Sequence, residues 1–298
     1  MPPAAPDFGV TLNESLLSQA ETVLLISRFR SSTTVQHNHP MKLPIPLAAL
    51  CLALLPAVRA EPQSLFNGHN LNGWKVAVAD QGFLDQQDIF VVHDGLIHVY
   101  PTQKHGSKQP YAGLVTEQTY SHYRLSMEYK WGENKFHPRF DMVRDAGIMF
   151  HLHGPVTMWP DSVECQIQEG DTGDLWIVGA QASSPVQDVI RNHSPRGKIE
   201  TRGGRQPRFA RFHRAYCWET PGWNTVVVEV RGDQARFFVN GQLVNEARDM
   251  RHWDEARKQW VPLDRGPILL QAEGAELFYR NIRIEELSPD APRETRGS

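Results

Sequence analysis

Two short runs concentrate the residues that can move protons or hold a sugar. They are Ile148-Met149-Phe150-His151-Leu152-His153 and Val163-Glu164-Cys165-Gln166-Ile167-Gln168. Side chains alternate faces along a strand, with same-face neighbours about 6.6 Å apart. The first run then has Ile148, Phe150 and Leu152 on one face, and Met149, His151 and His153 on the other. The second has Val163, Cys165 and Ile167 against Glu164, Gln166 and Gln168. Neither polar face carries a Lys or Arg. Acid, amide and imidazole together suit proton transfer and recognition of sugar hydroxyls; the alternative is an ordinary solvated sheet face. Glu164, His151 and His153 are the candidate catalytic residues. The same three are a candidate set for a divalent metal, because His-x-His on a strand aims both rings one way. Otherwise the two histidines are hydrogen-bond partners, and no other cofactor is indicated.

Candidate substrate-binding residues surround these runs. The loop Gly154 to Asp161 carries Trp159, and the loop after Gln168 leads through Asp171 and Asp174 to Trp176. The two indoles could wall a sugar site by stacking. Asp171 and Asp174 could take a hard cation through oxygen, although a tight glycine-rich turn explains that run equally. Gln166 and Gln168 belong to the Glu164 face. Gln271 and Glu273 share a face of the strand Ile268–Glu273, and reach the same cleft if that strand lies beside the His151 strand. The spacing also excludes a mechanism. Two carboxylates four residues apart on one strand would suit a retaining glycosidase, but the fourth residue after Glu164 is the amide Gln168. Glu169 faces the other way.

Elements that position such residues are short strands. Alternating runs recur from Ile89–His93 to Leu277–Glu285, and His93-Asp94-Gly95, Gly232-Asp233 and Asn240-Gly241 mark tight hairpins. No long 3.6-residue period appears, only short helical turns near Leu84–Asp88 and Trp253–Lys258. This predicts an all-β sandwich of two antiparallel sheets, a jelly roll, over residues 61–288, with 289–298 as a tail. Arg191 to Arg214 holds seven Arg and one Lys against the single acid Glu200. It reads as a long irregular loop, either a basic rim for a polyanion or a solvated segment whose arginines pair with acids elsewhere.

The 298 residues carry a formal net charge of -3, so no positive field gathers nucleic acid. Eight tryptophans fit either a sandwich core or sugar stacking. Residues 41–60, MKLPIPLAALCLALLPAVRA, have a basic start, a short apolar centre and small residues before Glu61, the pattern of an export signal. The apolar centre is too short to span a bilayer, and no membrane span is expected after cleavage. Residues 1–40 show no domain-like pattern and are expected to be an upstream extension of a chain that starts at Met41. Export to a periplasm or the outside permits a Cys165–Cys217 bridge. A buried free Cys165 is the alternative.

The order of motifs resembles a known family. Ser64-Leu65-Phe66-Asn67-Gly68 with Leu71-Asn72-Gly73-Trp74 resembles the opening of the 3-keto-disaccharide hydrolase domain. The likeness continues through Phe90, Asp94-Gly95, Leu114-Val115-Thr116 and Tyr123 to Tyr129. It then takes in Ala146-Gly147-Ile148, Glu164 to Ile167, Gly222 to Thr225, Asn240-Gly241, Gly266-Pro267-Ile268, Leu270-Gln271 and Phe278 to Ile282. Two positions depart from the commoner pattern: His151, where many members have Arg or Lys, and Glu273-Gly274, where many have His-Gly. The resemblance implies a concanavalin-like jelly roll in exported bacterial proteins that cleave glycosides of 3-keto sugars. Such cleavage needs a base for the C2 proton, which His or Glu can supply, and donors such as Gln166 and Gln271, or a metal, to hold the enolate oxygen. Two other readings stand beside it. One is a non-catalytic carbohydrate-binding module, and the other is an adhesion domain using the basic segment.

Overall fold

The computed structural model describes residues 61–84, 88–155, 157–187 and 192–289. Residues 1–40 (expected as an upstream extension), 41–60 (expected as an export signal), those beyond residue 289 (expected as a tail), Arg191 and the middle of the expected turn at 84–88 lie outside the described residues. Among the described residues the regular elements are strands. In chain order they are β1 (Gln63–Ser64), β2 (Trp74–Val78), β3 (Gly82–Phe83), β4 (Phe90–His93), β5 (Leu96–Val99), β6 (Ala112–Thr116), β7 (His122–Lys135), β8 (Asp145–His153), β9 (Asp161–Gln168), β10 (Leu175–Val178), β11 (Ala180–Val186), β12 (Lys198–Gly203), β13 (Phe209–Phe212), β14 (Asn224–Arg231), β15 (Gln234–Val239), β16 (Gln242–Asp254), β17 (Gln259–Pro262), β18 (Ile268–Ala272) and β19 (Ala275–Glu286). No helix among them is long and apolar enough to cross a membrane.

The strands form two antiparallel sheets, as the alternation predicts. One runs β12-β11-β16-β15-β14-β7-β19-β5-β4, with β1 beside β19 and β17 beside β16. The other runs β13-β10-β9-β8-β18-β6-β2-β3 and carries the candidate site. The core lies between them. Ile148 and Phe150 of β8, Val163, Cys165 and Ile167 of β9, and Leu270 of β18 belong to one buried cluster with Leu125, Val228 and Phe237 of the facing sheet. Each such side chain contributes about 1.5–3 kcal/mol by leaving water, and the core face assigned to β9 is buried throughout. The opposite face of the β8 sheet holds a second, smaller apolar cluster of Ala77, Val115, Met149, Leu152, Val178 and Leu269, with Trp159 against it.

Several expectations are corrected here. The basic segment is not a long loop: it contains β12 and β13, which form one edge of each sheet. Its arginines pair with acids, Arg202 with Glu200, Arg205 with Glu255, Arg208 with Asp161, and Arg211 and Arg214 with Asp171. Residues 253–258 form the end of β16 and a turn into β17 rather than a helical turn. Of the two alternatives for the cysteines the free thiol holds: Cys165 faces the core, Cys217 is exposed, and both are free.

Candidate active site

Strand pairing places the site residues on one face. Met149 of β8 stands opposite Glu164 of β9, and Glu164 opposite Trp176 of β10, which in turn faces Arg211 of β13. The neighbouring row carries Gly147 opposite Gln166, and the next carries Asp145 opposite Gln168. On the other side of β8, Leu269 pairs with Met149, so Gln271 and Glu273 follow on the same face. The expected adjacency of the Ile268–Glu273 strand and β8 is therefore observed.

Arg139, Asp145, Trp159, Glu164, Gln166, Trp176, Phe209 and Glu273 line an open cleft of about 440 Å³. Asp145 is its hub. Gln166 Nε2 donates to Asp145 Oδ1 at 2.6 Å and Gln168 Nε2 to Oδ2 at 2.9 Å. The Arg139 guanidinium forms an ion pair with the same carboxyl. Asp145 also faces the Glu273 carboxyl, and that neighbour favours the neutral form of Asp145. Trp159 Nε1 donates to Glu273 at 2.8 Å. That bond uses only the indole edge, and Trp159 and Trp176 both line the cleft. Tyr111 packs against Trp159, edge to face, at 5.3 Å between ring centroids.

Three carboxyls thus sit with one guanidinium, and all three are buried. Burial pushes Asp145 up to about 8, with Glu273 adding repulsion and Arg139 opposing it. Burial first, then the charges of Glu273 and Asp145, holds Glu164 well above the usual carboxylate range. Glu273 is raised by burial against the pull of Arg139 and Trp159. Such a cluster keeps protons at neutral pH and so offers both acids and bases.

The histidines do not join it. The register of β8 slips between Phe150 and His153, and His151 takes a left-handed φ of 54°. The alternation therefore reverses: Leu152 joins the outer apolar cluster, while His151 is fully buried and hydrogen-bonds the Gly232 carbonyl through Nε2 at 3.0 Å. Gly266 makes room, since a Cβ there would meet His151 Cα at 2.7 Å. Burial lowers His151 to about 4. His153 is exposed and packs on the His252 ring at 3.7 Å. The expected His151/His153/Glu164 metal set is not assembled, and no other such group lies among the described residues. Asp174 is buried outside the cleft lining, bound by Arg211 at 2.6 Å and Arg214 at 3.1 Å. With Asp171 also paired to both arginines, guanidinium groups take the place of the suggested hard cation.

The sequence reading missed Asp145, Arg139, Tyr111 and Phe209. Asp145 was recoverable, since it shares the β8 face with Gly147 and Met149. Arg139, in the irregular segment before β8, gave no periodic signal.

A family model described as the 3-keto-alpha-glucoside-1,2-lyase-like domain matches residues 61–285. The chain belongs to that family. It is thereby a carbohydrate-active sandwich of the kind the motif order predicted. No curated protein matches it in sequence. Among solved structures it is similar to a Parabacteroides distasonis ATCC 8503 protein provisionally described as a glycosyl hydrolase. The two share 19% identity at a TM-score of 0.46, over 76% of this chain and 94% of that one. It is also similar to the carbohydrate-binding module CBM66 of Bacillus subtilis (11%, TM-score 0.41, 72% and 96%) and to the β-glucanase of Bacillus licheniformis (13%, TM-score 0.39, 78% and 100%).

Proposed function

We propose that this protein cleaves glycosides whose sugar carries a ketone at C3. The observation that supports this reading is the convergence of Asp145, Glu164 and Glu273 on one cleft. A C3 ketone acidifies the C2 proton. One carboxyl takes that proton, and the C2–H electrons form an enolate. The enolate then expels the C1 oxygen, which leaves with a proton from a second carboxyl, and water can add to C1 afterwards. Gln166 and Gln168 hold Asp145 in place. Arg139 is the cation that lines the cleft, and it is placed to offset negative charge as the enolate develops. Separate acid and base carboxyls replace the histidine base considered above.

Incubating the purified full chain with a 3-keto-glucoside and with its parent glycoside tests the reading. Release from the 3-keto compound alone is expected, and Glu164→Gln should reduce it about 10²–10⁴-fold. No release from either compound, with or without added divalent metal, overturns it. Tight binding of intact glycan without turnover, unaffected by Glu164→Gln, would instead favour a binding module. We also propose export, on the pattern of residues 41–60. N-terminal sequencing that found the mature chain starting before Met41 would contradict it.

A further inference from the structure

Two acceptor oxygens meet where the backbone carries no side chain. A Cβ on Gly147 would overlap both Glu164 Oε1 and Gln271 Oε1, so both oxygens lean over one point of β8. Gln271 is 1% exposed, and its Oε1 is buried with no hydrogen-bond partner. Its Nε2 is turned away, to Met149 Sδ at 3.4 Å. Among the described residues, no protein group donates a hydrogen bond to the Glu164 carboxyl, which lines the open cleft. Two bare acceptors repel at such range, and a proton between them removes the conflict.

We propose that Glu164 rests as a neutral acid whose hydroxyl donates to Gln271 Oε1, which makes Gln271 the residue that positions the proton of the cleft. The surroundings agree. The titratable and charged groups facing Glu164 are Asp145 on β8, Glu273 beyond β18, Arg139 before β8 and, through the sheet, the buried Tyr279 phenol. Asp145 and Glu273 oppose a charge on Glu164, Arg139 favours one, and the Tyr279 phenol is neutral.

What the proton does next rests on the glycoside-cleaving reading. Glu164 gives it to the glycosidic oxygen as the C1–O bond breaks and that bond's electrons stay on oxygen. The Asp145–Glu273 pair takes the C2 proton. The C2–H electrons pass through the enolate into the new C1=C2 bond. One proton is taken and one given, and exchange with water restores Glu164.

The competing arrangement turns the Gln271 amide over, so that Nε2 donates to Glu164 and favours its anion. The two differ in sign. The full chain, labelled with ¹³C at the glutamate carboxyls, is titrated by NMR, and Glu164→Gln assigns the resonance. A neutral carboxyl at pH 7 is expected, with a midpoint that falls by about one pH unit in Gln271→Met, because an acceptor of the neutral form is lost. A Glu164 already ionised at pH 7, or a midpoint that rises or stays put, overturns the proposal. Should Gln271→Met fail to fold, the infrared difference between wild type and Glu164→Gln decides. A hydrogen-bonded carboxylic C=O band at neutral pH is expected, and carboxylate bands alone refute it. Neither measurement reads turnover. A protein inactive on every 3-keto-glycoside would therefore sink the proposed function and leave this inference intact.

Discussion

Asp145 accepts from two glutamine amides, pairs with Arg139 and faces the Glu273 carboxyl. Burial dominates this balance, so the carboxyl titrates near 8 in the fold against about 3.9 in an unfolded chain. Between those values the folded state holds a proton that the unfolded chain has released. The stability contributed is full below about pH 4 and is lost as pH rises through about 8. Thermal midpoints measured from pH 5 to 8.5 should therefore decline for the wild type and decline less for Asp145→Asn. Parallel curves would mean that Asp145 is ionised throughout. The same residue shows why the site was half legible in sequence. Glu164, Gln166, Gln168, Gln271 and Glu273 followed from strand alternation, because their strands are regular. Arg139 sits in an irregular segment whose path depends on contacts far away in sequence.

At the scale of the strand, β8 matters most, because alternation failed there. The sequence pattern puts His151 beside Glu164, whereas the slip after Phe150 sends it into the core and brings Leu152 out. An apolar cluster on the outer face competes for Leu152, and nothing local to β8 in the sequence reveals that cluster. His151 ties β8 to Gly232, in the turn between β14 and β15 of the other sheet. Its folded pKa of about 4 lies below the ordinary 6.5. The stability it contributes is present above pH 6.5 and is lost as pH falls through 4. His151→Phe should leave the Gly232 carbonyl unpaired, at about 1–3 kcal/mol, and should flatten the loss of stability between pH 6.5 and 4. Urea unfolding at pH 7.5 and 4.5 reads both effects. An undiminished acid loss in the variant would assign it to other groups. Elsewhere the strands match closely, with β14 and β15 bounded as expected from their hairpin turns. The strands that escaped include β2, β11 and β17 as well as β12 and β13, and the last two were hidden by glycines, prolines and charge.

Over the whole molecule, the two described thiols report on the sandwich. Cys165 is sealed between the sheets and Cys217 lies on the surface. A thiol reagent should modify Cys217 in the native protein within minutes and reach Cys165 only on unfolding. Reductant should leave the melting midpoint unchanged. Resistance of Cys217 in the native state, or a drop in midpoint with reductant, would indicate a bridge that the structure does not contain. The two-sheet architecture was legible because turn signals and period-two patterns recur along the domain. The order of strands within each sheet was not, since it depends on long-range pairing.

One arrangement has a colloidal side. β12 and β13 each end a sheet, and an open sheet edge is a template on which a second chain can add a strand. Here the segment that supplies both edges carries Lys198, Glu200, Arg202, Arg208 and Arg211. Charged side chains paired with acids thus stand along these edges. Exchanging the exposed Lys198 for an apolar residue, away from the cleft lining, would make the protein more prone to edge-to-edge polymerisation.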